Sequence, residues 1–240
     1  SEGLDRTHMS MPDAQETLLN ELTTVNKNVI VVLSAGSAIE MPWYPYVKGI
    51  VHGYLGGQAG ASAMLNILTG KVNPSGKLNE TYPIHYEDTP AYAYYPSKER
   101  SSEYRESLYV GYRYYTTVGK STRFPFGYGL SYTTFEYKDL KIDTEGATFT
   151  IKNAGDAAGT EIAQLYVGKS SDTVFRPVRE LKGFARVELQ PGEEKEVRIG
   201  FDDKTFRFYD TRTDSWEIES GIYQIMIGEN AQQMVLEGSL

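Results

Sequence analysis

Two carboxylates open the chain. Glu2 and Asp5 stand three residues apart in Ser1-Glu2-Gly3-Leu4-Asp5-Arg6, ahead of a helix that the sequence predicts from Pro12. A carboxylate on such a loop suits acid/base chemistry, giving a proton in one step and taking it back in the next. Asp5 and Arg6 equally suit a structural ion pair that holds the loop, and a terminal Glu is most often a solvated surface group. A native chain rarely begins on such a loop, so the sequence reads as a piece of something larger.

Other residues with chemical capacity are weaker signals. Ser34-Ala35-Gly36-Ser37 follows an apolar strand, at the end of the strand where open α/β sheets bind ligands. A tight turn needing small residues explains it as well. Gly56-Gly57-Gln58-Ala59-Gly60-Ala61 opens a helix and could cradle a phosphate. It lacks the dinucleotide spacing and the Lys-Ser/Thr of a phosphate loop, so close helix packing is the simpler reading. His8, His52 and His85 are scattered, with no metal-ligand spacing and no cysteine to complete a zinc site. His52 reads as a hydrogen-bonded core residue. There is no Gly-x-Ser-x-Gly elbow. No cofactor and no metal is expected.

Two elements must position these groups on the N-terminal side. The segment from Pro12 to about Val25 predicts a helix, with Leu18, Leu19, Leu22 and Val25 at helical spacing. Asn28–Leu33 is an unbroken apolar run, which suits a parallel strand buried on both faces. Lys48–Tyr54 is a weaker strand, and Ala59–Leu68 a helix stopped by Gly70. These predict part of an α/β sheet. His85 to Glu106 reads as a long loop, expected to pack on a partner domain or another copy of the chain. From Phe135 the pattern changes to short strands: 135–142, 147–153, 161–167, 182–189, 194–201, 206–209 and 223–227. That predicts an antiparallel sandwich of immunoglobulin or fibronectin type III kind. The expected division is 1–84, 85–134 as linker and interdomain loop, and 135–240.

Bulk properties narrow the function classes. Across 240 residues the net charge is −8, which argues against a nucleic-acid partner. No apolar run approaches the roughly 20 residues that span a bilayer. Nineteen tyrosines concentrate in runs such as YVGYRYY (109–115) and FPFGYGL (124–130). Such runs could stack a sugar, and equally glue a seam between domains.

Taken in order, these pieces resemble family 3 of the glycoside hydrolases, in particular its β-glucosidases. The resemblance is carried by SEGLDRTHMSMP (1–12), NVIVVLSAGSAIEMPW (28–43), GYLGGQAGASA (53–63), LTGKVNPSGKLNETYP (68–83), YVGYRYY (109–115), FPFGYGLSYTTFEY (124–137) and SGIYQIMIGEN (220–230). It implies an α/β part followed by an all-β part: a partial α/β sandwich with a mostly parallel sheet, then a fibronectin type III-like antiparallel sandwich. It also implies a barrel domain that this chain lacks. The implied reaction is retaining hydrolysis of β-glucosides by two carboxylates. The nucleophilic Asp would lie on the barrel. The acid/base role would fall on Glu2, or on a second Glu just upstream of Ser1 that close relatives can carry. Ser1 and Leu4 depart from the Gly-Glu-Gly-Tyr-Asp-Arg form of the motif. The partners implied are a β-glucoside or oligosaccharide and the barrel. A non-catalytic carbohydrate-binding or scaffolding module is the alternative, favoured by an exposed Tyr/Trp platform.

Overall fold

The computed structural model describes residues 3–4, 6–98, 100–171 and 174–240, in two compact units through which the chain is interleaved. Unit 1 comprises residues 1–72, 80–110 and 121–124. Unit 2 comprises 73–79, 111–120 and 125–240.

In unit 1, helix α1 (Asp13–Val25) begins after Pro12, with Asp13 and Glu16 placed where the helix dipole favours acids. Strand β1 (Ile30–Leu33) pairs in parallel with β2 (Gly49–His52), in the register Ile30–Gly49 to Leu33–His52. Helix α2 (Gly60–Leu68) follows. Strand β3 (Tyr82–Pro83) pairs antiparallel with β4 (Thr122–Phe124). The buried side chains of this unit come largely from irregular backbone: Met9, Met11, Ala38, Ile39, Met41 and Trp43. Residues 37–43 therefore act as a core strip although they form no strand.

The expectation of a mostly parallel sheet is corrected here. Among the described residues the parallel sheet has two strands, and the second pairing in the unit is antiparallel. The apolar run misled twice: it does not record strand number, and the cover it suggests on both faces is not found. In this chain Ile30 and Val32 remain 54% and 48% exposed, while Leu33 is buried. Leu18, Leu22 and Val25 of α1 are exposed too, and Thr23 is that helix's buried residue.

Unit 2 contains helix α3 (Tyr112–Val118) and a β-sandwich. One sheet has three strands in the order β5 (Phe135–Asp143), β6 (Gly146–Asn153), β9 (Glu194–Gly200). The other has four in the order β13 (Met234–Ser239), β12 (Gln224–Gly228), β7 (Gly159–Gly168), β8 (Glu180–Leu189). All ladders are antiparallel. The sheets approach along both edges, β8 beside β9 and β13 beside β5. Strand β6 shows the driving pattern: Ala147, Phe149 and Ile151 turn into the core at period two. Leu165, Ile225 and Ile227 face them from the other sheet and are fully buried. A hairpin, β10 (Arg207–Asp210) with β11 (Ser215–Ile218), projects between β9 and β12 in the chain. No helix among the described residues is long and apolar enough to cross a membrane.

Candidate functional site

Glu2 and Asp5 lie outside the described residues. What the structure describes is how the segment that follows them is held. Arg6 Nη1 donates to Ser37 Oγ at 2.6 Å and to the Ala38 carbonyl at 3.4 Å. The Arg6 carbonyl accepts from Tyr86 Oη at 3.3 Å. Three residues on, the Glu40 amide donates to the Met9 carbonyl at 2.9 Å. The segment from Arg6 to Met11 thus runs along Ser37–Met41, and Met9 and Met11 fix it by burial. Ser37 is the last residue of the small-residue loop after β1. That loop is used as a docking edge, and Ser34 Oγ donates to the Tyr54 carbonyl at 2.9 Å.

Two further carboxylates collect at this edge. Glu40 Oε1 accepts the Tyr86 amide at 2.7 Å, with His85 Nδ1 3.9 Å from Oε2. These contacts pin the start of the long tyrosine-rich loop, whose first residues Tyr86–Asp88 form a 3-10 turn. Tyr92, Tyr94, Tyr95 and Tyr104 farther along it are exposed. Burial pushes the Glu80 carboxyl above the ordinary range, opposed by a hydrogen bond from the Ala38 backbone and by the nearby Arg6 guanidinium. Glu80 lies within LTGKVNPSGKLNETYP (68–83) but the sequence assigns it no role, and Tyr86 lies outside every motif named above. Only their place after NPSGKL sets them near the opening loop.

The other sequence-predicted groups find structural uses. His52 Nε2 lies 2.6 Å from Oη of the fully buried Tyr82, and its ring stacks on Tyr54 with centroids 3.8 Å apart. Burial lowers its pKa below the usual imidazole value, and His52 is a half-buried, hydrogen-bonded histidine rather than a fully buried core residue. Gly56 packs against Gly60, where a Cβ would stand 2.9 Å from the Gly60 Cα. That close approach accounts for Gly56, and a φ of +61° accounts for Gly57. Among the described residues no group of three His, Asp or Glu side chains is arranged to hold a metal. The aromatic runs divide. Phe124 packs edge-on to Tyr44 and Tyr82 within unit 1, and Tyr112 packs against Phe126 and Tyr166 within unit 2. On the hairpin, Trp216 is 63% exposed and meets Tyr209 edge-to-face at 5.5 Å.

The NPSGKL and FGYGLSYT motifs meet in unit 2. The Leu78 amide donates to the Tyr128 carbonyl and the Gly127 amide to the Leu78 carbonyl, both at 2.8 Å. Asn73 Oδ1 accepts from the Tyr132 amide at 2.8 Å and from Ser131 Oγ at 3.0 Å. Lys77 Nζ donates to the Gly129 carbonyl at 3.1 Å and lies 3.4 Å from the buried Glu161 carboxylate. Tyr137 Oη donates to the same carboxylate at 2.9 Å. These motifs form a clamp on strand β7.

Residues 1–132 match the glycosyl hydrolase family 3 C-terminal domain. The chain belongs to glycosyl hydrolase family 3. Residues 161–231 of this family 3 chain match a fibronectin type III-like domain, in agreement with the sandwich. It is 46% identical to thermostable beta-glucosidase B of Acetivibrio thermocellus, over all of this chain and 33% of that protein. It is 41% identical to an exo-alpha-(1->6)-L-arabinopyranosidase of Bifidobacterium breve, over 98% of this chain and 32% of that one. Among solved structures, the family 3 beta-glucosidase of Bifidobacterium adolescentis superposes with a TM-score of 0.95 at 37% identity, covering all of this chain and 36% of its own. The Kluyveromyces marxianus beta-glucosidase in complex with glucose gives 0.94 at 34%, covering all of this chain and 30% of its own. The chain spans about a third of the length of these relatives.

Proposed function

We propose that this chain is the acid/base-bearing part of a retaining β-glycosidase acting on terminal β-glucosyl residues. The carrying observation is the family 3 match that begins at residue 1 and takes in Ser1-Glu2-Gly3-Leu4-Asp5-Arg6. In this reading an Asp carboxylate on a barrel outside this chain bonds to the anomeric carbon as the glycosidic C–O bond breaks. Glu2 gives its proton to the departing oxygen. Glu2, now a carboxylate, then takes a proton from the water that attacks the anomeric carbon and releases the Asp. Alone, the chain has no nucleophile and hydrolyses nothing.

A chimera tests this. The 240 residues replace the matching third of the Acetivibrio thermocellus enzyme, and turnover of aryl and alkyl β-glucosides is measured. The chimera is expected to be active, and Glu2→Gln to lower turnover of an alkyl glucoside by about 10²–10⁴-fold. A dinitrophenyl glucoside, whose leaving group needs no proton, should be spared in its first step, and azide should restore the second. A chimera indifferent to Glu2→Gln would sink the assignment. The exposed Trp216–Tyr209 pair favours the carbohydrate-binding alternative. That reading gains if the chimera is inert while the isolated chain binds cellobiose through Trp216.

A further inference from the structure

We propose that Arg6 is a positioning residue for the acid/base step, acting by tying the Glu2 loop to the edge that follows β1; this rests on the reading of Glu2 given above. The described residues from Gly3 to His8 are solvent-exposed, and the first buried side chain after the carboxylates is Met9. In that exposed run Arg6 supplies the side-chain hydrogen bonds to the rest of unit 1, through Ser37 Oγ and the Ala38 carbonyl. Its backbone is held as well, by Tyr86 Oη. Glu80 adds attraction to the guanidinium from a partly buried position.

Chain geometry makes this placement matter. Arg6 stands four positions after Glu2, so a fully extended chain reaches at most about 14 Å between their Cα atoms. With Met9 as the nearest anchor, the same reach is about 25 Å. Arg6 is therefore the nearer anchor to Glu2 along the chain, at little more than half the reach of Met9. Acid catalysis demands hydrogen-bond reach to the leaving oxygen, and a misplacement of about 1 Å can cost 10²-fold. Both bonds leave the single nitrogen Nη1, whose two N–H groups are fixed in the guanidinium plane, whereas the donors of an ammonium rotate freely.

An ordinary stabilising hydrogen bond would behave differently. Its loss would lower the melting temperature and leave the ratio of rates between substrates untouched. A misplaced acid slows substrates in proportion to their need for a proton. The test uses the full-length chimera carrying Arg6→Ala, Arg6→Lys or Ser37→Ala, with kcat/KM for a methyl and a dinitrophenyl β-glucoside. Arg6→Ala is expected to lower the methyl glucoside value by about 10- to 100-fold and the dinitrophenyl value by no more than about 3-fold. Arg6→Lys and Ser37→Ala should fall between, which keeps the test open if Arg6→Ala does not fold. Equal losses on both substrates, or none, in a folded variant would overturn the proposal. If Glu2→Gln shows the leaving-group dependence and the Arg6 variants do not, the positioning role alone falls. If Glu2→Gln shows none, the acid/base assignment itself falls, and this proposal with it.

Discussion

At the scale of single residues, two carboxyls are raised by burial. Glu80 lies at the docking edge after β1, and Glu229 lies near the clamp in unit 2. Burial is the main cause of the Glu229 shift, and the neighbouring Glu161 carboxylate adds to it, partly offset by Lys77. Its folded pKa is above the unfolded value of about 4.3. Between those two values the folded state holds a proton that the unfolded state has lost. Stability attributable to Glu229 is therefore complete below pH about 4.3 and is lost as pH rises through the folded pKa. Thermal melts across the mildly acid range should show a decline toward neutrality that Glu229→Gln flattens. A decline of equal size in the variant would remove Glu229 as its source. The opposite case sits on the hairpin. Arg212, 2.7 Å from Asp210, holds that carboxyl down to about 2, so its contribution is lost only as pH falls through strongly acid values.

At the scale of elements, most unit 2 strands were legible from apolar and polar alternation or from apolar runs. All seven predicted strands form, from β5 to β12, with ends within about two residues, the usual uncertainty of strand boundaries. Two others, β11 (Ser215–Ile218) and β13 (Met234–Ser239), were not read. β11 alternates over only four residues, and β13 is apolar in its first half but carries Glu237 and Gly238 in its second, so sheet pairing rather than local pattern makes β13 a strand. Helix α3 was hidden for a similar reason: Tyr112–Val118 is rich in aromatic and β-branched residues that favour strands. It is held by tertiary contacts, including the Leu181 amide donating to Tyr112 Oη at 2.8 Å. Turn geometry was better signalled. Gly127 has a φ of +80°, and a Cβ there would collide with the amide of the buried Gln164. That amide is already committed, donating to Gly127 O at 3.1 Å and Glu229 O at 2.7 Å and accepting from Tyr166 Oη at 2.6 Å. Gly127→Ala combines a positive-φ penalty with overpacking, so it is expected to cost about 2–4 kcal/mol. Urea unfolding would show this as a lower midpoint at unchanged slope. An unchanged midpoint would mean the clamp yields without cost.

At the scale of the molecule, the chain passes between its units after Val72, Asn79, Val110, Lys120 and Phe124. No periodicity could announce this, because the short excursions of 73–79 and 121–124 read locally as turn and linker. The candidate site was legible in the same uneven way. The opening motif named Glu2, but the partners of its neighbour Arg6 come from residues 37, 38 and 86, brought together by the fold alone. A segment beginning at residue 125 would keep every strand of the sandwich and lose Lys77. Glu161, 4% exposed, would then be buried without its cation. Such a segment should be less stable than unit 2 within the whole chain by about 3 kcal/mol or more. Comparing its melting curve with that of the whole chain carrying Lys77→Met would separate the loss of charge from the loss of chain.

The clamp also defines what can be exchanged between relatives. A crossover placed at the visible change of pattern, near residue 135, leaves the base for the acid of β7 to come from the other parent. A crossover before Asn73 carries acid, base and aromatic strap together. Natural or engineered shuffling within this family should therefore respect a block that starts at Asn73, about sixty residues ahead of the sandwich it serves.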